Sequence, residues 1–182
     1  MSIVITGNPG VGKHTVANEI SKRLGLSIID INSIAKDADL FEENDNTNDV
    51  DVLKLKNIMK AKISDYALIV GHLAPYIISP NQVKKVIILR RNPYDLISVY
   101  KKREYTEEKI RENTGSEILG IIAHDAISQF GTNAFQVDIT GKSISEVTEK
   151  VMSIINGVKI NEEVDWLELV TKRNDLQKFF AY

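Results

Sequence analysis

Residues Gly7–Thr15 read GNPGVGKHT, directly after the short apolar run Ser2–Thr6 (SIVIT). Glycines at 7, 10 and 12 let the main chain turn its N–H groups inward without Cβ clashes. Those donors, with the positive end of a following helix, favour a phosphate, and Lys13 adds a mobile cation that reaches terminal phosphates. A strand before the loop and a helix after it is the setting that a phosphate-binding loop requires. His14 breaks the pattern, because a Ser or Thr hydroxyl normally follows the lysine and ligates Mg²⁺. Mg²⁺ prefers oxygen to imidazole. The expectation is therefore that His14 offers its backbone N–H while its ring packs on the loop. Thr15 adds a further phosphate contact, and Mg²⁺ is carried by the nucleotide and water, with no metal site on the protein.

Working outward, Val16, Ile20 and Leu24 recur every four residues and share one helix face before the stop at Gly25. LSIIDI (26–31), YALIVG (66–71), VKKVIILR (83–90) and AFQVD (134–138) read as further strands. Between them fall helical patterns over Asn32–Ala38, Val52–Ile63, Pro93–Lys102, Thr106–Phe130 and Ser143–Ile155, the last with Ser143 and Glu146 in capping-box spacing. Val164–Phe180 reads as one or two short helices. The segment from Asp37 to Asp51 carries seven acids and no Lys or Arg, which predicts a solvated, mobile insertion. It lacks the glycine and final glutamate of a calcium-binding loop. Strands alternating with helices predict a single three-layer α/β domain built on a five-stranded parallel sheet.

The chain has 182 residues, no cysteine and a net charge of −2. The slight acidity argues against direct nucleic-acid binding, and the missing cysteines exclude disulfides and thiolate metal sites. No apolar stretch is long enough to span a membrane, and the first residues do not read as a signal peptide. The expected location is the cytoplasm.

Within the phosphate-loop classes, a GTPase requires a guanine-reading Asn-Lys-x-Asp tetrapeptide, which does not occur. A motor or large ATPase usually has an acid at the end of a core strand, where this chain has Val70-Gly71-His72. Kinases of small molecules are left, and these need cations around the transferred phosphoryl group. Candidates are Arg90-Arg91 and Lys101-Lys102-Arg103. A solvated helix face explains most of them, but Arg103 stands where Arg103–Thr106 interrupts the helical pattern as a lid hinge does. His72, after the third strand, is placed near the phosphates or in a structural hydrogen bond. His124 reads as a packing or surface residue, and Trp166 as an anchor for the tail.

GNPGVGKHT, GHLAP (71–75) and KKREYTEEKIRENTGSEILG (101–120) together resemble the atypical, nuclear-type adenylate kinase family of eukaryotes and its archaeal counterparts. The run Arg103–Asn113 is the most diagnostic part, and Val164-Asp165-Trp166-Leu167 is similar to the archaeal branch. The resemblance implies a P-loop nucleoside-monophosphate (NMP) kinase fold with an NMP-binding segment at 30–53, a short lid at 103–113 and a helical tail at 160–182. It implies transfer of a phosphoryl group from ATP to AMP, giving two ADP, with ATPase activity and a role in maturing the small ribosomal subunit through a small-subunit ribosomal protein. By the same resemblance, Gly10, Val11, Gly12, Lys13, His14 and Thr15 hold ATP phosphates, Arg103 clamps from the lid, and Lys142 lies beside the adenine. Asp30, Asn32 and Lys36 belong to the acceptor site, and Lys13, Arg103 and His72 to the catalytic set. Three positions depart from the family: His14 replaces a Thr, Ser33 replaces an acid, and Val70 replaces an acid that would activate water. A second reading makes the chain an ATP-driven assembly factor, its acidic segment steering a basic ribosomal protein; a third is a kinase for another nucleotide.

Overall fold

The computed structural model describes residues 1–44, 47–63 and 66–180. Strand β1 (Ser2–Thr6) is buried along its whole length. Ile3 and Ile5 pack into one core layer and Val4 into the other, as expected for a parallel strand covered on both faces. Helix α1 (Lys13–Leu24) stops at Gly25, whose φ of 65° is left-handed. β2 (Ile28–Asp30) leads directly into α2 (Ile31–Asp37), with the Asp30 carboxylate capping the helix by accepting from Asn32 N and Ser33 N.

Within the segment expected to be a solvated acidic insertion, two short strands pair. β3 (Phe41–Asn44) pairs antiparallel with β4 (Thr47–Val50), Phe41 lying opposite Val50. Residues 45 and 46 lie outside the described residues. Both ends are tied down: Leu40 is buried, its carbonyl accepts from Asp51 N at 3.3 Å, and Val50 packs on the core. A main-chain ladder depends on backbone groups, so the acidic composition does not prevent it.

α3 (Val52–Lys62) is capped by Asp51. β5 (Leu68–Val70), the short α4 (Ala74–Ile77) and β6 (Val83–Arg90) follow. α5 (Pro93–Lys102) opens with proline in its first turn. The pattern over 106–130 is two helices, α6 (Glu107–Leu119) and α7 (Ile121–Phe130). Gly120, at φ 64°, closes the first and opens the second. Apolar periodicity continues across that glycine, so the break is hidden in the pattern. β7 (Ala134–Asp138) completes the sheet, and α8 (Ile144–Ile155) carries the expected Ser143/Glu146 capping box. The tail forms α9 (Trp166–Lys172) and α10 (Leu176–Phe180).

The sheet order is β2-β5-β1-β6-β7, with every pair parallel. Helices α1, α5 and α8 pack on one face, while α2, α3, α4 and α7 cover the other. From β1 the chain crosses to the edge strand β2, returns to β5 beside β1, and then passes to β6 and β7 on the other side. That reversal opens a crevice at the carboxyl end of β1, where ligands bind in open α/β sheets.

Candidate active site

The loop after β1 lies in that crevice. Gly7, Gly10 and Gly12 have φ of 130°, 82° and 88°, a region that side-chain-bearing residues rarely enter. A Cβ on Gly7 would stand 2.3 Å from the Leu89 carbonyl oxygen, and one on Gly10 2.8 Å from the Tyr100 ring. No side chain caps the start of α1, and its first turn holds no acid, so its N–H groups are available to an anion. Val11 is fully buried and supports the loop from beneath; only its main chain can reach a ligand.

Lys13 is 6% exposed. Its Nζ donates to the carbonyls of Gly7 at 2.9 Å and Asn8 at 2.8 Å. Burial pulls its ammonium down to about 8, the Arg103 charge adding to the effect, while Glu117 and Asp30 oppose it. The group is charged at neutral pH and poorly solvated, and a phosphate would relieve that strain.

The His14 ring does not pack on the loop. Its Nε2 meets Asp30 Oδ2 at 2.8 Å, linking the phosphate loop to the cap of α2. Asp30 is thereby committed twice, to His14 and to the helix start.

A cavity of about 440 Å³ opens over the loop, within the range of small-ligand sites. Gly10, Gly12, Lys13, His14 and Thr15 form its floor. Asn32 and Val50 face it from the α2–hairpin side, and His72 from the end of β5. Arg103 and Tyr105 enter from the α5–α6 junction, where Glu104 has a left-handed φ of 58°. Lys109, Glu112 and Asn113 extend the wall along α6. Tyr105 stacks on Tyr100 with centroids 5.5 Å apart, and the Tyr100 hydroxyl donates to the Pro9 carbonyl at 2.6 Å. The α5–α6 junction is thus braced against the loop.

The structure brings together Gly10, Gly12, Lys13, His14, Thr15, Asn32, His72 and Arg103 in this one cavity. Burial, and then the charge of Lys13, lowers the His72 imidazole to about 4. It is neutral at physiological pH and serves as a hydrogen-bonding group rather than a cation. Lys36 is exposed on α2 and is not among the cavity residues. The Lys142 side chain points to the Asp138 carbonyl and to Glu162; it ties down the loop after β7. Arg90 lies on no solvated helix face. It is buried at the end of β6 and paired with Glu117.

Neither the His14–Asp30 pair nor Glu117 was singled out by sequence. His14 and Asp30 are sixteen residues apart on different elements. Glu117 left a signal, since it shares the apolar face of α6 with Ile110, Thr114 and Ile118.

An AAA domain family model matches residues 3–120. Proteins named "Putative adenylate kinase" align over nearly the whole chain. That of Sulfurisphaera tokodaii is 34% identical over 93% of this chain and 87% of its own length. That of Methanosarcina barkeri is 33% identical over 93% of this chain and all of its own. The chain belongs to the archaeal adenylate-kinase-like family of P-loop kinases. Its architecture agrees with that assignment. A shikimate kinase from Bacteroides thetaiotaomicron superposes with TM-score 0.55 at 16% identity, covering 86% of this chain and 98% of its own. A gluconokinase from Sinorhizobium meliloti gives 0.54 at 15%, covering 84% and 89%. At such identities these two show the shared P-loop kinase fold alone. No described helix is long and apolar enough to cross a membrane.

Proposed function

We propose that this kinase transfers the terminal phosphoryl group of ATP to AMP, giving two ADP. The observation that carries the reading is the single cavity in which loop donors, Lys13 and Arg103 face Asn32, Val50 and His72. ATP phosphates fit the floor, because its glycine main chain leaves room for an anion and its lysine is held by main-chain carbonyls, with no ion pair among the described residues. The acceptor phosphate sits between the floor and the α2–hairpin wall. In the transfer, an oxygen of the acceptor phosphate bonds to the γ-phosphorus while the bond to the β-bridging oxygen breaks. Lys13 and Arg103 face the oxygens on which charge spreads, and stabilise it electrostatically. Neutral His72 orients the acceptor or a water without adding charge. Asp30 acts through His14 and the α2 cap, which leaves Asn32 as the direct acceptor-side contact.

Glu112 is the only carboxylate among the described residues lining the cavity; Asp30 lies outside that lining, paired with His14 and the start of α2. That donor set does not make a protein cage for Mg²⁺, which suits an ion held by nucleotide oxygens and water. When bound, Mg²⁺ neutralises phosphate charge; the chain's own cations and main-chain donors do the positioning.

A nucleotide panel tests the reading. The protein is incubated with ATP, Mg²⁺ and each nucleoside monophosphate in turn, with a no-acceptor control. ADP formation that depends on AMP, and its loss in Lys13→Ala with the fold retained, is the expected result. Equal phosphate release with and without acceptor would replace the transferase reading by an ATPase one.

A further inference from the structure

Beneath the phosphate loop lies an acid that the transfer does not use. Glu117, on α6, is fully buried. Its Oε1 accepts from Arg90 Nε at 2.9 Å, Arg91 N at 3.0 Å and Trp166 Nε1 at 3.0 Å. Its Oε2 accepts from Asn8 Nδ2 at 2.6 Å. The preceding residue donates as well, Ser116 Oγ meeting Asn8 Oδ1 at 2.9 Å. Helix α6 therefore grips the Asn8 amide at both its nitrogen and its oxygen. The main-chain carbonyl of this same Asn8 accepts from Lys13 Nζ. One residue separates the buried carboxylate from the cation that faces the cavity. A buried Arg90–Glu117 pair kept only for folding would need neither contact with the loop.

We propose that Glu117 is a positioning residue for phosphate binding: through Asn8 it fixes the entry of the loop, so that Lys13 and the inward main-chain donors are preset for the anion. The inference rests on the nucleotide-binding half of the reading above and names a residue outside the cavity as its determinant. The α6 helix that walls the cavity and the C-terminal segment carrying Trp166 meet on this carboxylate, so both bear on the loop. Electrostatics agrees with the geometry. The charges acting on Lys13 are Arg103, which lowers its proton affinity, and Glu117 and Asp30, which raise it. Neutral His72 lines the same cavity, and His14 is paired with Asp30. Removing the Glu117 charge leaves Asp30 to oppose Arg103 and strips the buried Arg90 of its counter-charge, both of which lower the proton affinity of Lys13.

The test is ATP affinity by calorimetry on the full chain across pH 7 to 10, with thermal melts alongside. Glu117→Gln is expected to weaken ATP roughly tenfold or more, the scale of a lost charge-assisted hydrogen bond, and to move the alkaline loss of binding to lower pH. Asn8→Ala leaves Arg90, Arg91 and Trp166 on the carboxylate. It is expected to weaken ATP to a similar degree without moving the alkaline limb. A merely structural Glu117 would lower the melting temperature and leave affinity and limb in place. Unchanged ATP affinity in folded Asn8→Ala overturns the proposal, whatever Glu117→Gln does, so a failure of Glu117→Gln to fold does not shelter it. Failure of the unaltered chain to bind ATP would be a different result, overturning the nucleotide reading itself.

Discussion

Lys13 shows how a single buried charge couples binding to pH. In the unfolded chain its ammonium titrates near 10.5, and in the folded loop near 8. Between those values the unfolded state holds more protons, so folding stability rises with pH over that window. At neutral pH the folded protein carries the cost of the desolvated charge, of order 3 kcal/mol. A phosphate beside the ammonium reverses the balance and raises its proton affinity. Binding of ATP at about pH 8.5 is therefore expected to take up protons. Calorimetry in two buffers of different ionisation enthalpy would reveal this uptake, and Lys13→Met would lack it. His14 illustrates the opposite limit. Its partner Asp30 was visible in the sequence only as a candidate in the acceptor segment. A contact between loop and cap is set by tertiary placement, which no local pattern encodes.

At the scale of elements, the central strands were legible because burial on both faces leaves unbroken apolar runs such as Ile3–Ile5 and Val86–Leu89, and most helices by their apolar spacing. The helix starts at Ser143, a cap, and Pro93, in the first turn, were equally readable. The hairpin at 41–50 was not, since its acidic composition outweighed the apolar residues at its base. The division of α6 from α7 was missed because glycine at position 120 looks tolerable inside a long amphipathic pattern. A glutamate in a charged helix reads as solvent-facing, so Glu117 is legible only when its spacing from Ile110 is weighed. The loop itself makes a sharp prediction at this scale. In Gly7→Ala the new Cβ would lie 2.3 Å from the Leu89 carbonyl, at a φ of 130°. The β1 and β6 ends would have to part. The variant should lose at least 1–3 kcal/mol of stability, read as a lower denaturation midpoint, together with its ATP affinity.

For the whole molecule, the tail adds an apolar cluster against α6. Trp166, Val170 and Phe179 pack with Ile118 in a cluster of their own, and Tyr94 meets Phe179 edge-on at 5.2 Å. Trp166 also supplies one of Glu117's donors. Trp166→Ala combines a large cavity with a lost hydrogen bond to a buried charge, at a cost of about 3–5 kcal/mol. At this chain length that corresponds to a fall in melting temperature of roughly 10 °C, measurable by circular dichroism. Trp166→Phe should recover most of the packing and little of the hydrogen bond. The sequence pointed to Trp166 as an anchor, but what it anchors to was out of reach, because the partner lies forty-nine residues away on a buried helix face.

The span between Asn8 and Trp166 also bears on how the protein is made. A ribosome emits the phosphate loop early and the indole that finishes its buried support late. Until that tryptophan emerges, the nascent polypeptide has a loop whose letters are complete but whose clamp is one donor short. The loop would then reach its full rigidity only after the indole has joined the buried carboxylate.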